Sequence, residues 1–315
     1  MLPYPVRPAT PAGPRTLFER ASAVIFLALI VAGGATALPA QASPTLERIK
    51  QSGQIVIGHR ESSVPFSYVL PDGKPAGYAV DLCLRVVDAV RRNLQLKSLP
   101  VQYQVVTSAN RIDLVATGKV DLECGSTTNN ADRRSKVAFT IPHYITGARV
   151  LVKADSPVAE LKDLTGKRVA STAGSTPLKV IREFSRERGL ALDVVEASEH
   201  AKGIALVASG EASAFVMDDV LLFGLIAGRT EPPPLKVVGK LLSVEPLAIM
   251  MSKDDPAFKR IVDDEMRRLI ASREANALYE RWFLQPIPPR NVALGLPMNN
   301  LLRDFWKYPT DQVPN

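Results

Sequence analysis

The chain has 315 residues and a formal net charge of +7, from 39 Lys and Arg against 32 Asp and Glu. This mild excess favours attraction of anions, but the basic residues are scattered along the chain, which argues against nucleic-acid binding. The two Cys form no CxxC motif and no Cys/His pair at metal spacing, so we predict no metal site and no cofactor. The length is enough for one large or two ordinary domains.

Residues 1–42 are predicted to be a secretory signal peptide. Three Arg lie within the first twenty residues, and the uncharged stretch 21–42 has an apolar centre at 24–32. That centre is short for a membrane span, and Ala42 ends a small-x-small cleavage pattern. We therefore expect cleavage near Ala42 and export from the cytoplasm, with an uncleaved anchor as the alternative.

The two Cys leave two possibilities open. Cys83 falls on a predicted helix and Cys124 at a predicted strand end. In an exported protein an even number of Cys permits one disulfide. Because a sequence does not give the Cα distance, a bridge and a pair of buried free thiols are equally compatible with it.

The first half of the exported chain predicts a layered α/β domain. Ser108 is predicted to cap the helix 109–117, which Gly118 ends. The alternation of strands and helices implies parallel pairing. The predicted elements are a strand at 54–58, a helix at 77–92, a strand at 101–106, the helix at 109–117 and a strand at 120–124.

The same alternation restarts after a longer predicted β segment at 144–153. The chain ends with predicted helices at 256–272 and 274–283, followed by a Pro-rich stretch at 286–289. Between them we predict strands at 167–171, 192–196, 213–217, 235–238 and 247–251, and helices at 176–188, 200–209 and 220–227.

The repeated pattern predicts two α/β lobes. We assign residues 43–147 and 246–315 to the first lobe and 148–245 to the second, with crossovers near 146–149 and 243–246. Two lobes joined by two crossovers enclose a cleft, and ligands of open α/β sheets bind beyond the carboxyl ends of strands. The loops expected to line the cleft are 59–63, 108–111, 125–133, 172–176 and 218–219.

The run 123–134 is the most informative stretch for function. It follows a predicted buried strand and offers the hydroxyls of Ser126, Thr127 and Thr128 and the guanidinium of Arg133. A carboxylate is planar and accepts hydrogen bonds only, so it needs such a set of donors. The alternative is an ordinary strand-to-helix turn with a polar cap and a solvated Arg.

Five stretches of the chain resemble the periplasmic amino-acid-binding proteins of ABC importers (solute-binding protein family 3), and among them the glutamate/aspartate binders. They follow one another in the same order over nearly the whole exported chain. The resemblance implies a two-lobed type II periplasmic-binding-protein fold, a monomer that closes on one L-glutamate or L-aspartate and docks on a membrane permease. The stretches are residues 58–68, 107–112, 123–130, 215–222 and 287–291.

The resemblance also implies roles for single residues. By motif position Arg133 would hold the α-carboxylate, helped by Ser126 and Thr128, because a guanidinium is a planar, permanently charged fork. Asp218 would hold the ammonium group. The alternative for Asp218 is the N-cap of a helix beginning at Val220, although Asp219 is the better candidate for that cap.

Selectivity is assigned to the remaining wall of the implied pocket. Arg60 stands where related glutamine binders carry an Asp, which reverses the preference toward an acidic side chain. A neutral side chain would leave a buried charge unpaired, at a cost of several kcal/mol. The order of glutamate and aspartate stays open, because one methylene is worth about 1–3 kcal/mol. Further implied donors are Ser108, Arg111, Thr172, Ser175, Thr176 and His200. For His200 a surface or capping role is the alternative.

Two other functions are compatible with such a fold. A dehydratase-like periplasmic enzyme would need an acid or base over the cleft, for which His59 and Glu61 are the candidates. Glu61 is more simply explained as a brace for Arg60 or as a solvent-facing side chain. A ligand-sensing module is the other alternative. The tail 292–315 is expected to pack against the first lobe.

Overall fold

A computed structural model describes residues 43–313. The predicted signal peptide falls outside the described residues. Within that range no helix is both long and apolar enough to cross a membrane.

The described chain alternates short strands with amphipathic helices. The strands are β1 Ile55–His59, β2 Ser62–Ser63, β3 Ser67–Val69, β4 Pro75–Ala76, β5 Val101–Val105, β6 Leu122–Glu123, β7 Val137–Phe139, β8 Tyr144–Thr146, β9 Ala148–Lys153, β10 Arg168–Thr172, β11 Asp193–Ala197, β12 Ala214–Asp218, β13 Leu235–Val238, β14 Glu245–Leu247 and β15 Met250–Ser252. The helices are α1 Pro44–Ser52, α2 Tyr78–Asn93, α3 Arg111–Ala116, α4 Ala131–Arg134, α5 Thr176–Glu187, α6 His200–Ser209, α7 Asp219–Ile226, α8 Pro256–Ala271, α9 Glu274–Phe283 and α10 Asn300–Lys307.

One five-stranded sheet, in the order β5-β1-β6-β15-β7, forms the centre of the first lobe. β1 is parallel to β5 and β6, as the alternation predicts, whereas β15 runs antiparallel to β6 and β7. The apolar face of α2 is buried, and a small sheet of β2, β3 and β4 lies between β1 and α2 in the chain. The carboxyl ends of β1, β5 and β6 therefore meet at one edge of this sheet.

A second five-stranded sheet, in the order β11-β10-β12-β9-β13, forms the centre of the second lobe. β10 is parallel to β11 and β12, and β9 is antiparallel to β12 and β13. Its core is a separate apolar cluster that includes Val150, Val169 and Val216. The ends of β10 and β12 carry Thr172 and Asp218 to the edge that faces the first lobe.

The two lobes are linked by a two-stranded ladder. β8 and β14 pair antiparallel, with Glu245 opposite Thr146. The continuous strand predicted at 144–153 is wrong, because Gly147 separates β8 from β9. A Cβ atom at Gly147 would overlap the carbonyl oxygen of Ser243, so the chain needs a glycine at this close crossing.

Two expectations about local structure are corrected or settled. α3 begins at Arg111, so the residue at its N-cap position is Asn110 and not Ser108. The side chain of Asn110 makes no capping hydrogen bond to this helix. Instead Thr107 and Asn110 bond each other's backbone N–H groups. Cys83 and Cys124 form a disulfide, with their Cα atoms 6.3 Å apart. It joins α2 to the residue that precedes the 125–133 loop.

The chain after α9 continues along the first lobe and contains α10, a helix that the sequence analysis did not predict. Trp306 is buried, and its indole N–H donates to the carbonyl of Pro142 at 3.0 Å. The Asn299 side chain donates to the carbonyl of Ile145 in β8 at 2.8 Å. These contacts fix the tail beside the start of the crossover ladder.

Candidate functional site

Arg60 follows β1 and is fully buried, with 0% exposure. Its backbone N–H donates to Ser67, and its Nη2 atom donates to both carboxylate oxygens of Glu199, at 3.0 and 2.8 Å. Glu199 precedes α6 on the second lobe, so this ion pair joins the lobes. The Nε and Nη1 atoms of Arg60 have no hydrogen-bond partner among residues 43–313. They are donors that a bound anion could use.

Arg111 begins α3 on the neighbouring loop and is 2% exposed. Its Nη1 atom lies 3.9 Å from a carboxylate oxygen of Glu123, and its Nε and Nη1 atoms have no hydrogen-bond partner in the described chain. Burial lowers its pKa to about 9, and Arg133 adds to this effect while Glu123 opposes it. Arg111 therefore stays cationic at neutral pH and offers a second set of donors.

Arg133 lies on α4, at the end of the 125–133 loop. One Nη atom donates to the carbonyl of Thr128 at 2.9 Å, and the other to the carbonyl of Gly174 at 3.1 Å. Gly174 belongs to the second lobe, so Arg133 also joins the lobes. Each Nη atom carries a second N–H group, which is a donor that the α-carboxylate assigned to Arg133 by the family resemblance could use.

The hydroxyls of the 125–133 loop are used to build its walls. Ser126 donates to Ser63 at 3.3 Å, and Thr128 donates to Glu245 at 2.8 Å. Thr127 donates to Glu123 at 2.6 Å. All three hydroxyl-bearing residues are buried. The loop thus connects β6 of the first lobe to β14 of the crossover ladder.

His200 begins α6 on the second lobe and is fully buried. Its Nδ1 atom lies 2.8 Å from the hydroxyl of Thr172. Burial lowers its pKa well below the ordinary value, and the charges of Arg60 and Arg111 lower it further. The imidazole is therefore neutral. Its Nε2 atom, which has no partner among the described residues, can donate a hydrogen bond if Thr172 donates to Nδ1.

Asp218 ends β12 and is 1% exposed. It occupies the N-cap position of α7 without a side-chain cap bond, and its Oδ1 atom has no partner within residues 43–313. Burial raises its pKa well above the ordinary value, and neighbouring Glu245 adds to the rise while Arg111 and Arg133 oppose it. An ammonium group would supply both the missing hydrogen bond and the missing positive charge.

The helix after Asp218 begins one residue earlier than the sequence analysis predicted. Asp219 is therefore the first residue of α7, not its cap. Its carboxylate accepts from the N–H of Val220 at 2.7 Å and from the hydroxyl of Thr146 at 2.6 Å. Asp219 thus stabilises the local structure, whereas the carboxyl group of Asp218 is available to a ligand.

The remaining predicted residues line the contact between the lobes. Ser175 caps α5 by accepting from the N–H of Leu178 at 3.2 Å. The hydroxyl of Thr176 donates to that of Thr128 across the cleft at 3.2 Å. A Cβ atom on Gly174 would lie 2.6 Å from the carbonyl oxygen of Ser108. The two lobes therefore touch, which is the closed arrangement.

Three carboxylates of the site were missed by the sequence analysis: Glu123 and Glu245, which are buried, and Glu199, which is half-buried. Glu61, named there as a possible brace for Arg60, is exposed, and Glu199 fills that role. Position 199 stands just before a helix, where a carboxylate is normally a cap. Its pairing with Arg60 joins residues 139 apart in the chain, and no local pattern signals such a pair.

Neither proposed catalytic candidate has a geometry that favours an enzyme. His59 lies in β1, its pKa is lowered by burial, and its Nδ1 atom is 3.2 Å from the carbonyl oxygen of Arg60. Its ring meets Tyr103 edge-on. Among the described residues no cluster of three or more His, Cys, Asp or Glu is arranged to hold a metal ion.

The site therefore combines two buried guanidinium groups, a neutral imidazole and a buried carboxyl group between two closed α/β lobes. The chain belongs to the bacterial extracellular solute-binding proteins, family 3, whose family model matches residues 55–285. This confirms the resemblance stated from the sequence.

The relatives agree with this class. The chain is 41% identical over 270 residues to the L-glutamate/L-aspartate-binding protein of Pseudomonas aeruginosa, covering 85% of this chain and 89% of that protein. It is 37% identical over 301 residues to the glutamate/aspartate import solute-binding protein of Escherichia coli K12, covering 95% and 99%. These names are those of binding and import proteins, which confirms the prediction of a solute-binding protein over an enzyme.

A solved structure supports the fold. A mutant of ArgBP from T. maritima superposes with a TM-score of 0.67 at 24% identity, covering 76% of this chain and 98% of that one. At this identity the likeness shows the fold alone. It confirms the two-lobed type II periplasmic-binding-protein fold that the sequence predicts.

Proposed function

We propose that the protein binds one acidic amino acid, L-glutamate or L-aspartate, between its lobes and delivers it to the membrane permease of an ABC importer. The observation that carries the proposal is the set of buried polar atoms at the cleft. Arg60 and Arg111 offer N–H groups with no hydrogen-bond partner in the described chain, and Asp218 offers a carboxylate oxygen that likewise accepts no hydrogen bond there. An acidic amino acid has two carboxylates and one ammonium group, which match these groups in charge and number.

The charges of the ligand then divide between the two lobes. Arg60, with the Nε2 atom of His200, takes the distal carboxylate. Arg133 and Arg111 take the α-carboxylate, because guanidinium groups bind carboxylates through two parallel hydrogen bonds. Asp218 takes the ammonium group. Ser108, Ser126, Thr128, Thr172, Ser175 and Thr176 are buried or half-buried around these groups and shape the wall.

Selectivity against glutamine depends on how much of Arg60 is free for the ligand. Glu199 already balances part of its charge through Nη2. The Nε and Nη1 atoms still need acceptors when the cleft is dry, and a side-chain amide supplies one oxygen where a carboxylate supplies two. We therefore expect glutamate to be preferred over glutamine because the amide satisfies fewer of these donors.

Closure would present the loaded protein to the permease. Two contacts form only when the lobes meet: the ion pair of Arg60 with Glu199 and the hydrogen bond of Arg133 to Gly174. They favour the closed state once a ligand has neutralised the charges in the cleft. Export through the predicted signal peptide would place a monomer in the periplasm. The lobes would follow the predicted boundaries, with β8 and β14 as the flexible link.

Isothermal titration of the purified, ligand-stripped protein with L-glutamate, L-aspartate and L-glutamine tests this function. The expected result is tight one-to-one binding of the two acidic amino acids and much weaker binding of glutamine. A folded protein that binds none of the three would contradict the proposal.

A further inference from the structure

Residues 287–291, called the strap here, are the last of the five stretches that resemble the amino-acid-binding proteins. The strap leaves α9 and is fixed on the first lobe. The hydroxyl of Tyr68 in β3 donates to the carbonyl of Pro288 at 2.6 Å, and Ile287 is buried. The N–H of Asn291 donates to the carbonyl of Ile287 at 2.9 Å, which closes the strap into a tight turn.

The side chain of Arg290 reaches from the strap to the second lobe. Its Nη1 atom donates to the carbonyls of Leu225 and Ala227, each at 3.0 Å. These carbonyls lie at the carboxyl end of α7, where a helix has no intrahelical donors left and carries a partial negative charge. A guanidinium satisfies both needs, so Arg290 caps a helix of the other lobe.

Two glycines, one in α7 and one just beyond it, lie close to the first lobe. A Cβ atom on Gly224 would overlap the carbonyl oxygen of Val64. Gly228, just beyond the helix, has φ +62, and a Cβ atom there would lie 2.8 Å from the Cγ2 atom of Val292. The second lobe thus packs on the strap and on the β2–β3 connection without room for a methyl group.

The opposite end of α7 is part of the ligand site. The helix has eight residues, and Asp218 stands at its N-cap position. A helix of this length moves as one body. The strap therefore holds the carboxyl end of α7, while the amino end of the same helix carries Asp218, the carboxylate for the ammonium group.

We propose that the strap is a closure latch: Arg290 holds the carboxyl end of α7 against the first lobe in the closed form and so sets the affinity for the ligand without touching it. The proposal rests on the proposed function, since it concerns the closure that captures the amino acid. A latch outside the cleft stabilises every liganded closed state by the same amount, whichever amino acid is bound.

The test compares Arg290→Ala with Arg303→Ala, an exposed Arg on α10 whose side chain bonds Asn300 of its own helix. The expected result is that Arg290→Ala raises the dissociation constants for L-glutamate and L-aspartate by the same factor, about three- to tenfold, as for a charged group at a helix end. The rise should appear in the dissociation rate, and Arg290→Lys should recover part of it. Arg303→Ala should change neither constant.

Gly224→Ala provides a steric counterpart. A methyl group inside a helix favours helix formation, so the ligand-free protein should melt no lower than the wild type. The closed form would have to admit that methyl group against Val64, so affinity for both amino acids should fall by at least tenfold. A loss of affinity without a loss of thermal stability would support the latch.

Unchanged dissociation constants in Arg290→Ala would overturn the proposal. Dissociation constants that rise by different factors for L-glutamate and L-aspartate would also overturn it, because Arg290 would then contact the ligand. A wild-type protein that binds neither amino acid would contradict the proposed function instead. In that case X-ray scattering decides the latch separately. A larger radius of gyration for Arg290→Ala than for Arg303→Ala would support it, and equal radii would overturn it.

Discussion

The two walls of the cleft carry opposite charges. The first-lobe wall presents the guanidinium groups of Arg60 and Arg111, buried beside a carboxylate that only partly balances them. The second-lobe wall presents the carboxyl groups of Asp218 and Glu199 and the neutral imidazole of His200. The difference suggests an order of events: the first wall attracts the carboxylates of an acidic amino acid, and the second wall then closes on its ammonium group.

The largest effect is expected from the first wall. Arg111→Met keeps much of the side-chain volume but removes a buried charge that faces both Glu123 and the ligand. Loss of one partner of a buried charge pair costs about 2–5 kcal/mol, so binding of every acidic amino acid should weaken by roughly 30-fold or more. Titration measures the affinity, and chemical denaturation verifies the fold.

Arg91→Met is the matched control, because Arg91 lies on the solvent side of α2 and pairs with Asp88 of the same helix. A folded Arg111→Met protein with wild-type affinity would show that the first wall does not bind the carboxylates.

The second wall is tested by Asp218→Asn, which keeps the shape and removes the charge. Affinity for L-glutamate should fall by about 10- to 100-fold, as for the loss of a charge-assisted hydrogen bond in a buried site. An α-keto acid such as 2-oxoglutarate has no ammonium group, so its weaker binding should be affected much less. Equal losses for both ligands, measured by titration, would contradict the assignment of Asp218.

Selectivity is assigned to Arg60, and the comparison of glutamate with glutamine tests it. Arg60→Met should weaken glutamate binding far more than glutamine binding, so the ratio of the two dissociation constants should fall about tenfold or more toward one. Competition titrations with both ligands measure that ratio. An unchanged ratio in a folded variant would rule out Arg60 as the residue that recognises the distal carboxylate.

A smaller effect is expected from Glu199, which pairs with Arg60 only across the closed cleft. Glu199→Gln removes the charge from this pair but leaves an oxygen that still accepts a hydrogen bond. Affinity for glutamate should therefore fall only about three- to tenfold, with a faster dissociation rate. In an Arg60→Met background the same change should have little effect, and an undiminished effect there would show that Glu199 acts on something else.

A further test is the dependence of affinity on pH that originates in the second wall. Burial and the neighbouring Glu245 hold the pKa of Asp218 well above its ordinary value, which favours a protonated carboxyl group there. An ammonium group needs the ionised form, and binding then releases that proton. Affinity should fall as the pH decreases, by at most about tenfold per pH unit.

Titrations between about pH 5.5 and 8 measure this dependence while the ligand's own carboxylates stay ionised. Asp218→Asn should flatten the curve. A flat curve in the wild type, or a steep one in the variant, would assign the proton to another group.

The sequence predicts the two α/β lobes well because helices and strands follow local apolar periodicity. The helices at 200–209 and 274–283 and the strand at 235–238 have the predicted bounds. The break between β8 and β9 was missed because its cause lies far away in the sequence. Gly147 interrupts a run of β-forming residues only because Ser243 crosses beside it. The cap predicted at Ser108 failed because Thr107 and Asn110 already bond each other's backbone.

The site shows the same limit. Arg60, Arg111 and Asp218 were predicted from motifs and from the family resemblance, and all three are buried. Their partners could not, because the pairs of Arg60 with Glu199 and Thr128 with Glu245 join residues 139 and 117 apart in the chain. Such pairs depend on how the lobes meet, which no local pattern encodes.

A crystal structure of the protein with L-glutamate would show directly which side chains hold each charged group of the ligand. We expect the distal carboxylate of the ligand on Arg60 and its α-carboxylate on Arg111 and Arg133. We also expect the ammonium group within about 3 Å of Asp218. A ligand bound in the reverse orientation, or with its ammonium group away from Asp218, would contradict these assignments.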